Sequence, residues 1–260
     1  MIQELLLNPV GILILAGVVV AATAFIFSRP PIPQAPSYHE FADRRIFFGI
    51  PNFLDVISNL PFLVLGVWGL FLVGSRMSGD AFFRHPIMWP YAVFFLGVTL
   101  TFFGSSYYHL YPTNARLVWD RLPMTLGFMG VLSATVAERI SVRAGVLLLP
   151  PLVVAGGLTV IYWYWTESNG HGDLRPYYLV QFGSLAAVLV ILAVFPSRNT
   201  EDWCLALALA LYGGAKLLES LDRHIYDISQ TVSGHTLKHL AAAGAIYLIL
   251  LMLERRIGVA

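Results

Sequence analysis

Residues Ser233–Arg256, SGHTLKHLAAAGAIYLILLMLERR, carry the reading that decides the fold. The run from Leu240 to Leu253 is wholly apolar. With its flanks it reaches the length of about 20 residues that a helix needs to cross a hydrocarbon core. It opens with His235 and His239, which lie four apart and so share one face of a helix. Two imidazoles there are either a polar helix end in the headgroup layer or half of a metal site. The rest of the chain has to separate those readings.

The same character runs through all 260 residues, of which 57% are hydrophobic and only 12% charged. A soluble domain cannot be covered with so little charge, so lipid is the solvent for much of the surface. A net charge of +1 gives no electrostatic footprint for nucleic acid, which is not expected as a partner. The single cysteine, Cys204, excludes an intrachain disulfide and a cysteine-rich zinc module. Apolar stretches recur near 9–28, 54–75, 87–108, 116–138, 144–165, 176–196, 202–221 and 235–254, predicting eight spans. The first has Glu4 and no Lys or Arg before it, and its apolar run is too long for a signal peptide, so a retained span is expected. RPPIPQAP, Arg29–Pro36, cannot be a helix interior and reads as a stiff linker. The expected fold is all-α, a polytopic membrane helix bundle with a seven-helix core and one added N-terminal transmembrane helix. Its divisions are 1–28 for the added helix, 29–53 for a proline-containing linker and interfacial segment, and 54–260 for the body. Arginines divide nearly evenly between the two faces and lean only to cytoplasmic termini.

Parity is more informative. His109 ends the third predicted span, Asp120 opens the fourth, and His235 opens the eighth. Three crossings and seven crossings reach the same side of a membrane. Asp43, Asn52 and Asp55 follow one crossing, and Glu219 and Asp222 end the seventh, so all are expected on the face opposite the termini. Ionisable groups at the depth of a span are costly and by default functional.

Three imidazoles around one cation match a common catalytic zinc shell that keeps a fourth position open. His235 and His239 offer two ligands from adjacent turns, and His109 a third from another helix. Zinc so held lowers the pKa of a coordinated water toward neutrality. Asp120 is the nearest carboxylate to take its proton. Ser105, four residues before His109, shares its face and can donate to a developing oxyanion. Spacing and parity carry the reading as far as a hydrolytic metal site in a helix bundle.

At these residues the chain resembles the alkaline ceramidase family, within the seven-helix membrane hydrolases that include adiponectin-receptor-like proteins. The matching pieces are SNLPF at Ser58–Phe62, GSSYYH at Gly104–His109, DRLPM at Asp120–Met124 and HTLKH at His235–His239. The resemblance covers the body from about Asn52 onward. It implies Zn2+ on His109, His235 and His239, Asp120 as the water-activating group and Ser105 as a stabiliser of the tetrahedral intermediate. The implied reaction is hydrolysis of a ceramide-type membrane lipid amide, giving a long-chain base and a fatty acid. Eukaryotic family members also carry an acidic Ca2+-binding segment before the first body helix. Here that stretch is FADRRIFFGIPNFLDVISN, where Asp43, Asn52 and Asp55 are the oxygen donors. Two carboxylates are few for calcium, and two arginines stand among them.

Other polar residues have plainer expectations. Glu219 and Asp222 are either partners that orient a histidine or members of helical ion pairs with Lys216 or Arg223. Asp55, Ser58 and Asn59 lie on neighbouring turns, where interhelical hydrogen bonding competes with a role behind the ligands for Asn59. His171 and Asp173 fall in TESNGHGDLRP, which reads as a turn. His39, His85 and His224 are expected at the interface, and Tyr162–Trp165 as an aromatic belt. Two other function classes fit a polytopic bundle. A receptor or binding protein would hold a structural, fully coordinated metal, whereas a haem carrier needs facing histidines on different helices.

Overall fold

Each predicted span is a helix in the computed structural model, which describes residues 8–76, 86–196 and 201–258. Glu4 and His85 lie outside the described residues. The helices are α1 Pro9–Phe27, α2 Phe53–Arg76, α3 Met88–Leu110, α4 Asn114–Arg139 and α5 Val142–Ser168. They continue with α6 Arg175–Val194, α7 Asp202–Ser220, α8 Asp222–Ser229 and α9 Gly234–Gly258. No strand occurs among the described residues, only a lone bridge between Phe47 and Ile50. Among the described residues six helices are individually long and apolar enough to cross a membrane, and α7 with α8 makes a seventh if that pair is one span bent by 73°. This is the architecture of a multi-pass membrane protein. Helix α4 is not among the six; its first two turns carry Arg116, Asp120 and Arg121.

Local chemistry accounts for the helix ends. Asn8 caps α1 by accepting from the Gly11 N–H, and Pro9 occupies the first turn, where a missing N–H costs nothing. Ser141 caps α5 in the same way, through the Ala144 N–H. Prolines inside α4 (Pro123) and α5 (Pro150, Pro151) each free one backbone carbonyl, which neighbouring groups can satisfy in a membrane bundle.

The chain forms two compact units. The first comprises Met1–Gln34, Leu70–Gly97 and Met124–Arg198. There α1 packs on α6, and Ile12 and Leu15 lie against a core of Val136, Ile191 and Phe195. Leu174 donates to the Ile32 carbonyl at 2.8 Å, and Gln34 N–H donates to Glu167 at 2.9 Å, so the proline linker is tied down at its far end. The turn at Gly170, φ 78°, leads to Asp173, which is held by Arg175 at 2.8 Å. Trp163 does not join an aromatic belt: it is fully buried, while Trp165 beside it is 63% exposed. A helix side chain points one way at each position, so four consecutive aromatics cannot all face the interface.

The second unit comprises Ala35–Gly69, Val98–Pro123 and Asn199–Ala260. Helix α7 packs along α9, and Arg256 near the end of α9 pairs with Asp202 at the start of α7 at 3.0 Å. Helix α2 is interrupted at Ser58–Asn59, between a short turn of helix, Phe53–Ile57, and the long run Leu60–Arg76. All the residues expected to form a site belong to this unit.

Candidate metal centre

His109, His235 and His239 converge, with one ring nitrogen of each within 4.8 Å of the others. All three are buried, at 1, 4 and 3% exposure. No other group of three His, Cys, Asp or Glu comes together in this way among the described residues. The Nε2 atoms of His109 and His235 are 3.3 Å apart. Two nitrogens bound to one tetrahedral zinc at about 2.0–2.1 Å would be separated by about 3.3–3.4 Å, so the pair is already spaced as ligands.

The protonation pattern suits a cation. Ser58 Oγ lies 2.8 Å from His239 Nδ1 and 3.2 Å from the Asp55 carbonyl, so the hydroxyl can accept an N–H from the ring while it donates to that carbonyl. In that arrangement the His239 Nε2 lone pair is free for a cation. Lys238 Nζ lies 2.9 Å from His235 Nε2, and an ammonium can only donate, so this nitrogen too presents a lone pair. Lys238 is held equally by Glu219 Oε1 at 2.9 Å, and it retains that partner when a metal takes the imidazole. His109 Nδ1 is buried without a partner. The residues fit a metal ion; the identity of the ion is not written in three imidazoles alone.

The ligand helices are seated from outside the cluster. Asp222 Oδ1 accepts from the His235 backbone N–H at 2.8 Å, and Ser233 Oγ accepts from Thr236 N–H at 3.0 Å, so two donors of the α9 N-terminus that lack an intrahelical partner are satisfied. Asp55, fully buried, accepts from Thr236 Oγ1 at 2.7 Å and Ser233 Oγ at 3.1 Å. Gly234 makes the approach possible, since a Cβ there would run into the Leu218 carbonyl and Asp222. At the end of α3, Asn52 Nδ2 donates to the His109 carbonyl at 2.7 Å. Asn52 adopts the left-handed region, φ 49°, which asparagine tolerates.

Ser105, one turn before His109, hydrogen-bonds Asp120 of α4, and Asp120 interacts electrostatically with Lys238. Pro123 cannot donate to the Trp119 carbonyl one turn earlier in α4, and a Cβ at Gly104 would collide with that same oxygen. Gly104 thus lets α3 lie on the freed carbonyl, which brings the next residue on each helix, Ser105 and Asp120, into contact.

Several expectations need correcting. Asp43 is not free as an oxygen donor beside Asn52 and Asp55: Arg45 takes both its carboxylate oxygens, at 2.8 and 2.7 Å, while Asn52 Nδ2 and Asp55 Oδ1 serve α3 and α9 as above. Asp222 holds a backbone N–H of α9 and not a histidine ring. Asn59 turns its amide to the carbonyls of Asp55 and Val56 in its own segment. Glu219 has the ion pair foreseen with Lys216 and a second with Lys238. His39, expected at the interface, is half-buried, and its ring nitrogens meet the Tyr108 hydroxyl at 2.9 Å and Asn114 Oδ1 at 2.8 Å. Sequence reasoning missed Lys238 and Phe41, whose ring packs on His109 and His235 at 4.6 and 4.7 Å between centroids. Lys238 was visible inside HTLKH; nothing in the sequence marked Phe41.

The chain matches no protein-family model and no curated protein sequence.

Proposed function

We propose that this protein is a zinc-dependent intramembrane amidase that hydrolyses ceramide-type lipid amides to a long-chain base and a fatty acid. The observation that carries the reading is the convergence of three buried imidazoles beside the Ser105–Asp120 pair, with Ser105 one helical turn before His109. A receptor with a structural metal has no need of that pair. The reading counts α4 and α7 as spans, giving eight crossings with the site on the face opposite both termini. An amide near the polar end of a lipid lies at the depth of such a helix-end site.

His109, His235 and His239 would hold the ion. Zinc supplies Lewis-acid polarisation and lowers the pKa of a coordinated water. Asp120 takes the proton of the attacking water on a carboxylate oxygen as the new C–O bond forms. Once protonated, Asp120 no longer needs the Ser105 hydroxyl, which turns to donate to the carbonyl oxygen as it gains charge. Asp120 then returns the proton to the amide nitrogen, and the C–N bond breaks to release amine and acid. Phe41 covers the His109 and His235 rings and keeps bulk water off them.

The test is zinc content and ceramide hydrolysis measured on the same purified preparations. His235→Ala/His239→Ala should lose most of the metal. Asp120→Asn keeps shape and an acceptor, so it should retain metal yet turn over about 10²–10⁴ more slowly. A metal-replete Asp120→Asn protein with unchanged turnover would remove Asp120 as the base, and stoichiometric zinc in the double variant would remove the ligand set.

A further inference from the structure

Beside the histidines lies an open cavity of about 570 Å³, lined by Glu40, Phe41, Ala42, Arg44, Arg45, Arg223 and Tyr226. We propose that it binds the anionic head group, a phosphate by preference, of the lipid amide that the histidine site cleaves; this rests on the amidase reading and narrows its substrate class.

Charge bookkeeping comes first. Arg45 is balanced by its bidentate pair with Asp43. Arg44 uses only its Nε, which donates to the Phe41 carbonyl at 3.1 Å, and Arg223 has no ion pair among the described residues. Both are exposed. Among the residues that line the cavity these two guanidiniums stand against one carboxylate, Glu40, so the lining is net positive; Asp222, behind Ala42, has both oxygens engaged by backbone N–H groups. Guanidinium forks fit phosphate oxygens two at a time, and such charge-assisted bonds are about twice as strong as neutral ones.

Position comes second. Phe41 is both a wall of this cavity and the ring that packs on His109 and His235. Ala42, the next wall residue, donates to Asp222 Oδ2 at 2.9 Å, and the other oxygen of Asp222 holds His235. An anion held here is therefore one side chain away from the ligand cluster, as a head group is from the amide it precedes.

The third observation separates a lipid from free phosphate. Directly after Arg45, the chain makes a tight turn through Phe48, φ 53°, and Gly49, φ 76°. The turn presents Ile46, Phe47 and Phe48 outward at 66, 45 and 93% exposure. Arg45 lies over the Phe47 ring at 5.8 Å and the Tyr226 ring at 5.6 Å. Cations backed by exposed aromatics match the headgroup layer, where phosphate meets acyl chain. A cavity for soluble phosphate would gain nothing from that turn.

The experiment is equilibrium binding to the full-length protein in nanodiscs, with three probes: an N-acyl long-chain base, its 1-phosphate with the same acyl chain, and inorganic phosphate. The phosphorylated lipid should bind roughly tenfold or more tighter than the uncharged one. Arg44→Gln/Arg223→Gln should abolish that preference while zinc content stays at the wild-type level. Glu40→Gln should increase the preference, a gain that a merely structural role for these residues would not produce. Equal binding of the two lipids, or a preference that survives the double variant, would overturn the proposal. Inorganic phosphate bound as tightly as the phosphorylated lipid would overturn the lipid assignment. Binding is read without turnover, so a preserved preference in a protein that cleaves no amide would sink the amidase reading and not the anion site.

Discussion

At the scale of single residues, Asp43 shows how one neighbour redirects a side chain. Burial pushes its carboxyl up, but side-chain and backbone hydrogen bonds from Arg45 outweigh burial and hold it below the usual carboxylate range. A carboxyl depressed in the folded state contributes stability that is complete above its unfolded pKa of about 3.9 and is lost as pH falls through the folded value. Asp43→Asn should therefore cost about 1.5–3 kcal/mol at neutral pH, the range for a hydrogen bond to a charged group. The gap from wild type should close as the pH drops below about 4. Thermal unfolding of the detergent-solubilised protein over that range reads it out, and a gap independent of pH would show that the ion pair contributes nothing. In the sequence, Asp43 among two arginines was legible as a poor calcium ligand. That Arg45, and not the adjacent Arg44, takes both oxygens was not, because the backbone path between residues 43 and 45 decides it.

At the scale of elements, the contact between α3 and α4 depends on two residues that carry no chemistry. Pro123 frees the Trp119 carbonyl and Gly104 supplies the space to lie against it. Gly104→Ala places a methyl group on backbone that cannot step aside, and overpacking of this kind costs about 1–3 kcal/mol. The same displacement parts Ser105 from Asp120, so turnover should fall further than Ser105→Ala alone makes it fall. Thermal stability and hydrolysis of the two variants side by side decide the point. Gly104→Ala with wild-type stability would mean that the helices do not meet here. The motifs GSSYYH and DRLPM each contain one of these residues, yet neither stretch alone shows that the glycine of one packs on the proline-freed carbonyl of the other.

At the scale of the whole molecule, the eight predicted spans all exist as helices, and six or seven of them are apolar enough to cross a membrane. Helix α4 is the exception, and it is the helix that carries Asp120. A span that brings charge to its first turns loses apolar length, and it stays affordable only if those charges face protein. Asp120 and Arg121 are both buried, at 8 and 4% exposure. Reporter fusions at the two ends of the chain should both report the same side of the membrane. Opposite sides would mean that α4 or α7 does not cross, and the shared face of His109, Asp120 and His235 would need another explanation.

By itself the sequence determined the helices and their bounds to within a few residues, because apolar length, proline breaks and capping residues act locally. It also determined the three histidines as candidate ligands, since i, i+4 spacing in α9 and the parity of the spans are properties of the chain alone. Only the tertiary structure decided what each remaining polar group does. Ser58 holds His239 Nδ1, Asp55 and Asp222 seat the start of α9, Lys238 joins Glu219 to His235, and Phe41 links an arginine-lined cavity to the ligands. Ser58, Asp55 and Phe41 lie many tens of residues from the groups they meet. A buried donor or acceptor takes whatever complementary group the packed helices bring within about 3 Å, and no local pattern encodes that meeting.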